Sequence, residues 1–163
     1  MSEQGTTGWE LPAQDETADP TTIRVDQFFP HPPEKVWRAL TTPDLLAQWL
    51  MTNDFVLEVG HRFTMAGRRV EATGFSGTVA STVLAIDAPR MLQVTWTDAA
   101  AEDLVPTTVT WTLEAEGHGT RLFLEHAGFD PDDEIAQLSR RIMGGGWRSM
   151  ILRRLSEVLD TSA

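Results

Sequence analysis

The spacing of hydrophobic residues changes several times along this chain, and each change marks a different kind of secondary structure. Residues 21–29 are rich in β-branched and aromatic side chains that alternate with polar ones, which predicts a strand. Residues 31–40 then place apolar side chains at helical spacing after a pair of prolines. Thr42 and Pro43 are residue types that begin a second helix, as N-cap and first helical residue. The first part of the chain is therefore predicted to be one strand followed by two short helices.

The middle of the chain has the period of β-structure. The segments HRFTMAG, LQVTWTD, TTVTWTL and TRLFLEH alternate between apolar and polar positions, and TVASTVLAID is mostly small and β-branched. This pattern is typical of antiparallel strands that bury one face, with tight turns at residues 87–90 and 116–119. Helical spacing returns near the C-terminus. The sequence predicts an α+β fold, in which a curved antiparallel sheet of about six to seven strands wraps around a long C-terminal helix.

Three consecutive glycines interrupt the helical pattern near the C-terminus. Ile135, Leu138 and Ile142 precede Gly144–Gly146 at the spacing of one apolar helix face, and Trp147 begins a second apolar stretch. Each glycine inside a helix costs about 1 kcal/mol relative to alanine. Two interpretations follow: the glycines bend one long helix, or they form a loop before the final helix. In both, Trp147 is expected to face inward.

The charge of the chain is unevenly distributed. The formal net charge is −11 at pH 7, and residues 1–20 contain acidic side chains with no lysine or arginine. This composition predicts a disordered acidic tail at residues 1–20, before a single domain at residues 21–163. The acidic balance of the domain also disfavours a nucleic-acid partner, because such binders present a basic face.

The cellular compartment is predicted from features that the sequence lacks. There are no cysteines, so disulfides, thiolate metal sites and cysteine nucleophiles are excluded. No apolar run approaches the length of a membrane span, so no membrane insertion is expected. The first residues have neither the basic nor the apolar region of a secretory signal, and a cytoplasmic location is expected.

Five segments carry a resemblance to a known family. They are FFPHPPEKVWRALTTPDLLAQWL (28–50), EVGHRF (58–63), SGTVASTVLAIDAPRMLQVTW (76–96), TTVTWTLEAEGHGTRLFLEHAGF (107–129) and GGWRSMILRRLSEVL (145–159). In this order they resemble the START-like superfamily, also called the SRPBCC or birch-pollen-allergen fold. Within it, the chain is similar to homologues of the Aha-type activators of the heat-shock chaperone ATPase. The resemblance implies a helix-grip domain, with the C-terminal helix facing a cavity over the concave sheet.

The side chains predicted to face that cavity are apolar and unusually aromatic, which is typical of pockets for small apolar ligands. The predicted ligand-binding residues are Trp37, Trp49, Phe63, Met65, Trp96, Trp111, Leu124, Trp147, Met150 and Ile151. That these side chains simply form the core remains an alternative. The histidines are scattered without metal-ligand spacing, so no metal is expected. No phosphate-binding loop or dinucleotide fingerprint is present, so no other cofactor is expected.

His126 is the candidate catalytic residue. Strand alternation places it with Leu122 and Leu124 on the inward face, where an imidazole can act as a general base. The alternative is a core histidine whose hydrogen bonds are satisfied by a backbone carbonyl.

Three functions follow from these observations. The leading hypothesis is binding of a small hydrophobic or aromatic molecule between sheet and helix, without covalent chemistry. The second is a cyclase-, aromatase- or hydrolase-like enzyme that uses His126 as its base. The resemblance implies this activity because some members of the superfamily have it. The third is a co-chaperone whose surface binds a chaperone. A homodimer is a further open possibility, with Phe123 on the outer sheet face as a contact.

Overall fold

The secondary structure follows the predicted order closely. The computed structural model describes residues 19–101 and 105–162. The elements in chain order are β1 (Thr22–Phe29), α1 (Pro33–Thr41), α2 (Pro43–Trp49), β2 (Thr52–Asn53), β3 (Arg62–Ala66), β4 (Thr78–Asp87), β5 (Met91–Asp98), a 3₁₀ turn (Ala99–Ala101), β6 (Thr107–Glu116), β7 (Gly119–Ala127), α3 (Glu134–Ser149), a π-helical segment (Met150–Leu155) and α4 (Ser156–Thr161).

The strands form one antiparallel sheet of seven strands in the order β1-β7-β6-β5-β4-β3-β2. The alternation predicted from the sequence is present in the structure: Val109, Trp111 and Leu113 of β6 are buried, while the threonines between them are half-buried on the other face. The inner face curls around α3, the π-helical segment and α4, which continue one another. This confirms the predicted α+β helix-grip fold, including the two short helices between β1 and β2.

The two short helices pack together through one tryptophan. Each begins with a proline in its first turn, where the missing N–H costs nothing. Thr42 precedes α2 as predicted, although its side chain makes no capping hydrogen bond. Trp49 of α2 is buried, and its Nε1–H donates to the carbonyl oxygen of Ala39 at 2.9 Å. This buried bond therefore joins α2 directly to the backbone of α1.

The glycines lie inside α3, so the interpretation that they form a loop is wrong. The predicted inner face of the first half of α3 is also wrong, because Ile135 and Ile142 are 49% and 43% exposed. The buried residues of this helix are Arg140, Gly144 and Trp147. Trp147 marks the side of α3 that faces inward. Successive residues of an α-helix are rotated by about 100° about its axis, so Arg140 lies about 20° from Trp147 and faces inward as well. Ile142 lies about 140° from Trp147 and therefore faces outward.

The C-terminal helical unit changes its winding next to the glycines. Met150–Leu155 is a π-helix, in which hydrogen bonds span five residues instead of four. Ile151 and Leu155 of this segment are fully buried. The wider turn allows the apolar face to continue toward Val158 and Leu159 of α4, which are also buried.

The predicted acidic tail falls almost wholly on residues 1–18, which lie outside the described residues. Asp19 and Pro20, the last two residues of that predicted tail, are hydrogen-bonded to the domain. The Asp19 carboxylate accepts from the N–H and the hydroxyl of Thr21, and the carbonyl of Pro20 accepts from Gln137 Nε2 at 2.8 Å. No helix in the described part of the chain is long and apolar enough to cross a membrane.

We predict that Gly145→Ala stabilises the protein. A Cβ built at Gly145 meets no atom within 4 Å, so the variant gains helix propensity without a clash. The free energy of unfolding in a urea titration is expected to rise by about 1 kcal/mol. Gly119→Ala is the opposing control, because its Cβ would collide with the carbonyl oxygen of Phe29 and must destabilise the protein. An unchanged or lower stability of Gly145→Ala would contradict the prediction.

Candidate functional site

An aromatic cluster centred on Trp147 occupies the space between the sheet and α3. Trp147 is 1% exposed, and its ring centroid lies 5.2 Å from that of Trp96 and 6.0 Å from that of Trp111. The imidazole of His126 lies 6.2 Å from Trp147 and 5.7 Å from Trp96. The four rings come from β5, β6, β7 and α3, so the cluster joins three adjacent strands of the sheet to the C-terminal helix.

A chain of hydrogen bonds runs through this cluster. The indole Nε1–H of Trp147 donates to His126 Nδ1 at 3.1 Å, so Nδ1 carries no proton. The Thr107 hydroxyl donates to the carbonyl oxygen of Trp96 at 2.8 Å and lies 2.7 Å from His126 Nε2. Because a hydroxyl has one proton, Thr107 accepts from Nε2–H. The contacts therefore specify a neutral histidine that is protonated on Nε2.

Burial keeps His126 neutral. Desolvation inside the apolar core lowers the pKa of His126 to about 3, from an ordinary value of 6.5. Both ring nitrogens are already engaged, and a substrate proton would have to displace the indole donor from Nδ1. The two partners of His126 are side chains, and it reaches the Trp96 carbonyl only through Thr107, whereas the alternative considered above expected a backbone carbonyl as the partner. A catalytic role for His126 remains a prediction that these contacts do not support.

Two buried polar atoms in the described residues have no hydrogen-bond partner, namely Ser81 Oγ and Trp111 Nε1. Ser81 is paired with Phe63 across β3 and β4, on the inward face. Trp111 contacts Trp147 edge to face. An unpaired buried donor costs about 1–3 kcal/mol, so such an atom calls for an explanation. Parity of the strands predicted that Trp111 faces inward, but no feature of the sequence indicated that its N–H would lack an acceptor.

The predicted ligand-binding residues are brought together in the interior. Most of them are buried, while Trp37 and Met150 are partly buried at its margin. The buried ones are Trp49, Phe63, Met65, Trp96, Trp111, Leu124, Trp147 and Ile151. Phe63 packs edge to face on Phe55, with ring centroids 5.1 Å apart. A role of these side chains in ligand binding remains a prediction, because in this structure they pack against one another.

The sequence did not predict two depressions on the outer face of the sheet. One, of about 500 Å³, lies over β3, β4 and β5 and is lined by threonines together with Asp54 and Arg62. The other, of about 400 Å³, lies over β1, β7 and β6 and includes Phe123. Neither touches Trp147. Across the described residues, no three histidine, aspartate or glutamate side chains are grouped so as to hold a metal ion.

We predict that His126 makes the fold sensitive to acid. The pKa of His126 is depressed in the folded state, so below pH 6.5 the unfolded chain binds a proton that the folded chain does not. The free energy of unfolding is therefore expected to fall with decreasing pH, by roughly 1.4 kcal/mol per unit at most, down to about pH 3. Urea titrations of the wild type and His126→Gln between pH 7 and pH 4 test this, because glutamine does not titrate. Equal pH slopes for the two proteins would contradict the assignment.

Comparison with known proteins identifies the family. The sequence model of the Activator of Hsp90 ATPase homolog 1-like family matches residues 30–160. The crystal structure of MLL2253 from Mesorhizobium loti is 36% identical, covering 87% of this chain and 98% of that one, with a TM-score of 0.72.

Two further solved structures are similar. BH1534 from Bacillus halodurans is 29% identical, with coverages of 85% and 96% and a TM-score of 0.65. CalU16 from Micromonospora echinospora is 25% identical, with coverages of 86% and 76% and a TM-score of 0.65. No curated protein matches the sequence. The family match runs from just before α1 into α4, and it confirms the branch of the SRPBCC superfamily that the sequence resembled: the chain belongs to the Activator of Hsp90 ATPase homolog 1-like family.

Proposed function

We propose that this protein binds a small apolar or aromatic molecule between the sheet and α3, without covalent chemistry. The observation that carries the proposal is the unpartnered indole N–H of Trp111 in the aromatic interior. Trp147 has a built acceptor for its own N–H, whereas Trp111 has none among the described residues. A ligand oxygen that accepts from Trp111 would remove the cost of this unpaired donor.

Entry of a ligand requires the aromatic side chains to move, because Trp147 and its neighbours fill the interior. We infer that α3 bends near its glycines to let these side chains move. Gly145 has no neighbour that requires a glycine, and the nearest atom to a Cβ on Gly146 would be the flexible Met150 Cε at 3.5 Å. The π-helical segment begins at Met150. Glycines and π-turns are common places for helices to bend, and they lie directly beside the cluster here.

A matched pair of probes tests the role of Trp111. We predict that Trp111→Phe weakens binding of 2-acetylnaphthalene about five- to tenfold, because it removes a hydrogen bond of about 1 kcal/mol. Binding of 2-ethylnaphthalene, which lacks the carbonyl, should change much less. Isothermal titration gives both affinities, and a rise in melting temperature on ligand addition confirms binding to the folded state. Phe123→Leu, on the outer face of the sheet and outside the predicted ligand-binding residues, is the control and should leave both affinities unchanged.

One outcome of that experiment contradicts the proposed binding, and another contradicts the role given to the Trp111 N–H. If neither probe binds, and a wider panel of fatty acids, flavonoids and sterols also leaves the melting temperature unchanged, the interior is only a core. If Trp111→Phe weakens both probes equally, the indole acts through packing and the hydrogen bond has no role.

Activation of a chaperone ATPase is a second candidate, because the family description names this activity. Ile135 and Ile142 present exposed apolar side chains on α3, which suits contact with a protein partner. This function predicts faster ATP hydrolysis by a purified Hsp90-type chaperone when the protein is added. Ile142→Glu should reduce the effect and Trp111→Phe should leave it unchanged, the reverse of the ranking expected for ligand binding.

A further inference from the structure

The inner face of α3 buries a positive charge that has no acidic partner. Arg140 is 4% exposed, and its guanidinium donates to the side-chain oxygen of Gln137 at 3.1 Å and to the Asp19 carbonyl at 3.5 Å. Among residues 19–101 and 105–162, no carboxylate lies within ion-pair distance of it. The carbonyl of Asp19 contacts Arg140, but the carboxylate of Asp19 is bound to Thr21 and to Arg24, the latter at 3.2 Å.

This arrangement leaves most of the N–H donors of Arg140 without an acceptor among the described residues. A guanidinium has five N–H donors in a planar fork, and two neutral oxygens engage only part of them. Removing such a charge from water without a counter-ion is costly, and the cost is recovered when an anion pairs with it. Carboxylates fit the fork with two parallel hydrogen bonds. Arg140 is therefore a group that an incoming carboxylate would stabilise.

The position of Arg140 relates it to the aromatic cluster. Arg140 and Trp147 lie on the same face of α3, two turns and about 10 Å apart. Gly144 lies between them on that face and is buried, with no side chain to separate the cation from the indole. One strip of helix thus presents a cation at one end and an aromatic ring at the other.

We propose that Arg140 binds the carboxylate of an amphipathic ligand whose apolar or aromatic body rests against Trp147. This inference rests on the proposed function and narrows its ligand class to carboxylic acids. A carboxylate of the chain itself is the competing occupant of Arg140, and the experiment below distinguishes it from a free ligand. Asp15 and Glu16 precede Asp19 by a few residues in the sequence, and the Asp19 carbonyl contacts Arg140.

The test compares 2-naphthylacetic acid with its methyl ester by isothermal titration to the full-length protein. The ester is more apolar, so tighter binding of the acid is diagnostic of a charged partner. We expect the acid to bind about tenfold more tightly or better, since charge-assisted hydrogen bonds are roughly twice as strong as neutral ones. Arg140→Gln should abolish this preference, and Arg140→Lys should retain part of it because lysine keeps the charge without the fork.

Arg141→Gln is the matched control. Arg141 is the next residue in α3 but is exposed, so its replacement should leave the preference for the acid unchanged. Melting temperatures show whether each variant is folded. Equal affinity of acid and ester for the wild type overturns the inference while leaving the proposed function intact. An acid preference that survives Arg140→Gln does the same. Failure of both compounds, together with failure of the neutral naphthalene probes, overturns the proposed function as well.

A third arm identifies the source of the carboxylate. Asp15→Asn combined with Glu16→Gln removes two negative charges from the chain before Asp19. If these residues occupy Arg140, the double variant should bind 2-naphthylacetic acid more tightly than the wild type, and only when Arg140 is present. Unchanged affinity, with the acid preference retained, assigns the site to a free ligand. A gain that persists in Arg140→Gln overturns the role of Arg140.

Discussion

The packing of Trp147 against the sheet is the interaction on which the rest of the structure depends. Its indole contacts rings from β5 and β6, and its N–H reaches the histidine of β7. Through Thr107, the same histidine is tied to the backbone of β5. A single side chain from the helix therefore fixes both the depth and the rotation of α3, and the rotation decides which residues of the helix face inward.

That rotation explains why the two halves of the C-terminal helix differ so much. After Trp147, the inward positions are occupied by Ile151 and Leu155, which are fully buried. Before it, the inward positions are Gly144 and Arg140, while isoleucines are left at the surface. A helix stabilised by its core would have the opposite arrangement. The first half of α3 is thus held less by apolar burial than by the hydrogen bonds of Arg140 and Gln137 to Asp19 and Pro20.

Much of the fold could be predicted from the sequence because strand alternation is a local signal. In β6, every second residue from Val109 to Leu113 is buried, and the sequence alone indicates this. The inward face of α3 could not be predicted in the same way. The apolar spacing of Ile135 and Ile142 is a valid helical pattern, but it competes with Trp147, and only tertiary packing decides which face is buried. The partners of His126 were equally hidden, because they lie 19 and 21 residues away in sequence.

The hydrogen-bond chain in the core has a consequence for how this sequence can change over time. Thr107, His126 and Trp147 each satisfy a polar atom of another member, and Thr107 also donates to the carbonyl oxygen of Trp96. Replacing any one of them by an apolar residue leaves an orphaned donor or acceptor in the interior, whereas replacing all three together removes the bonds among the three side chains and leaves only the Trp96 carbonyl without its Thr107 donor. Apolar substitutions at these three positions are therefore tolerated together more readily than one at a time. Viable intermediates between one such core and another must keep either the whole chain of bonds or none of it.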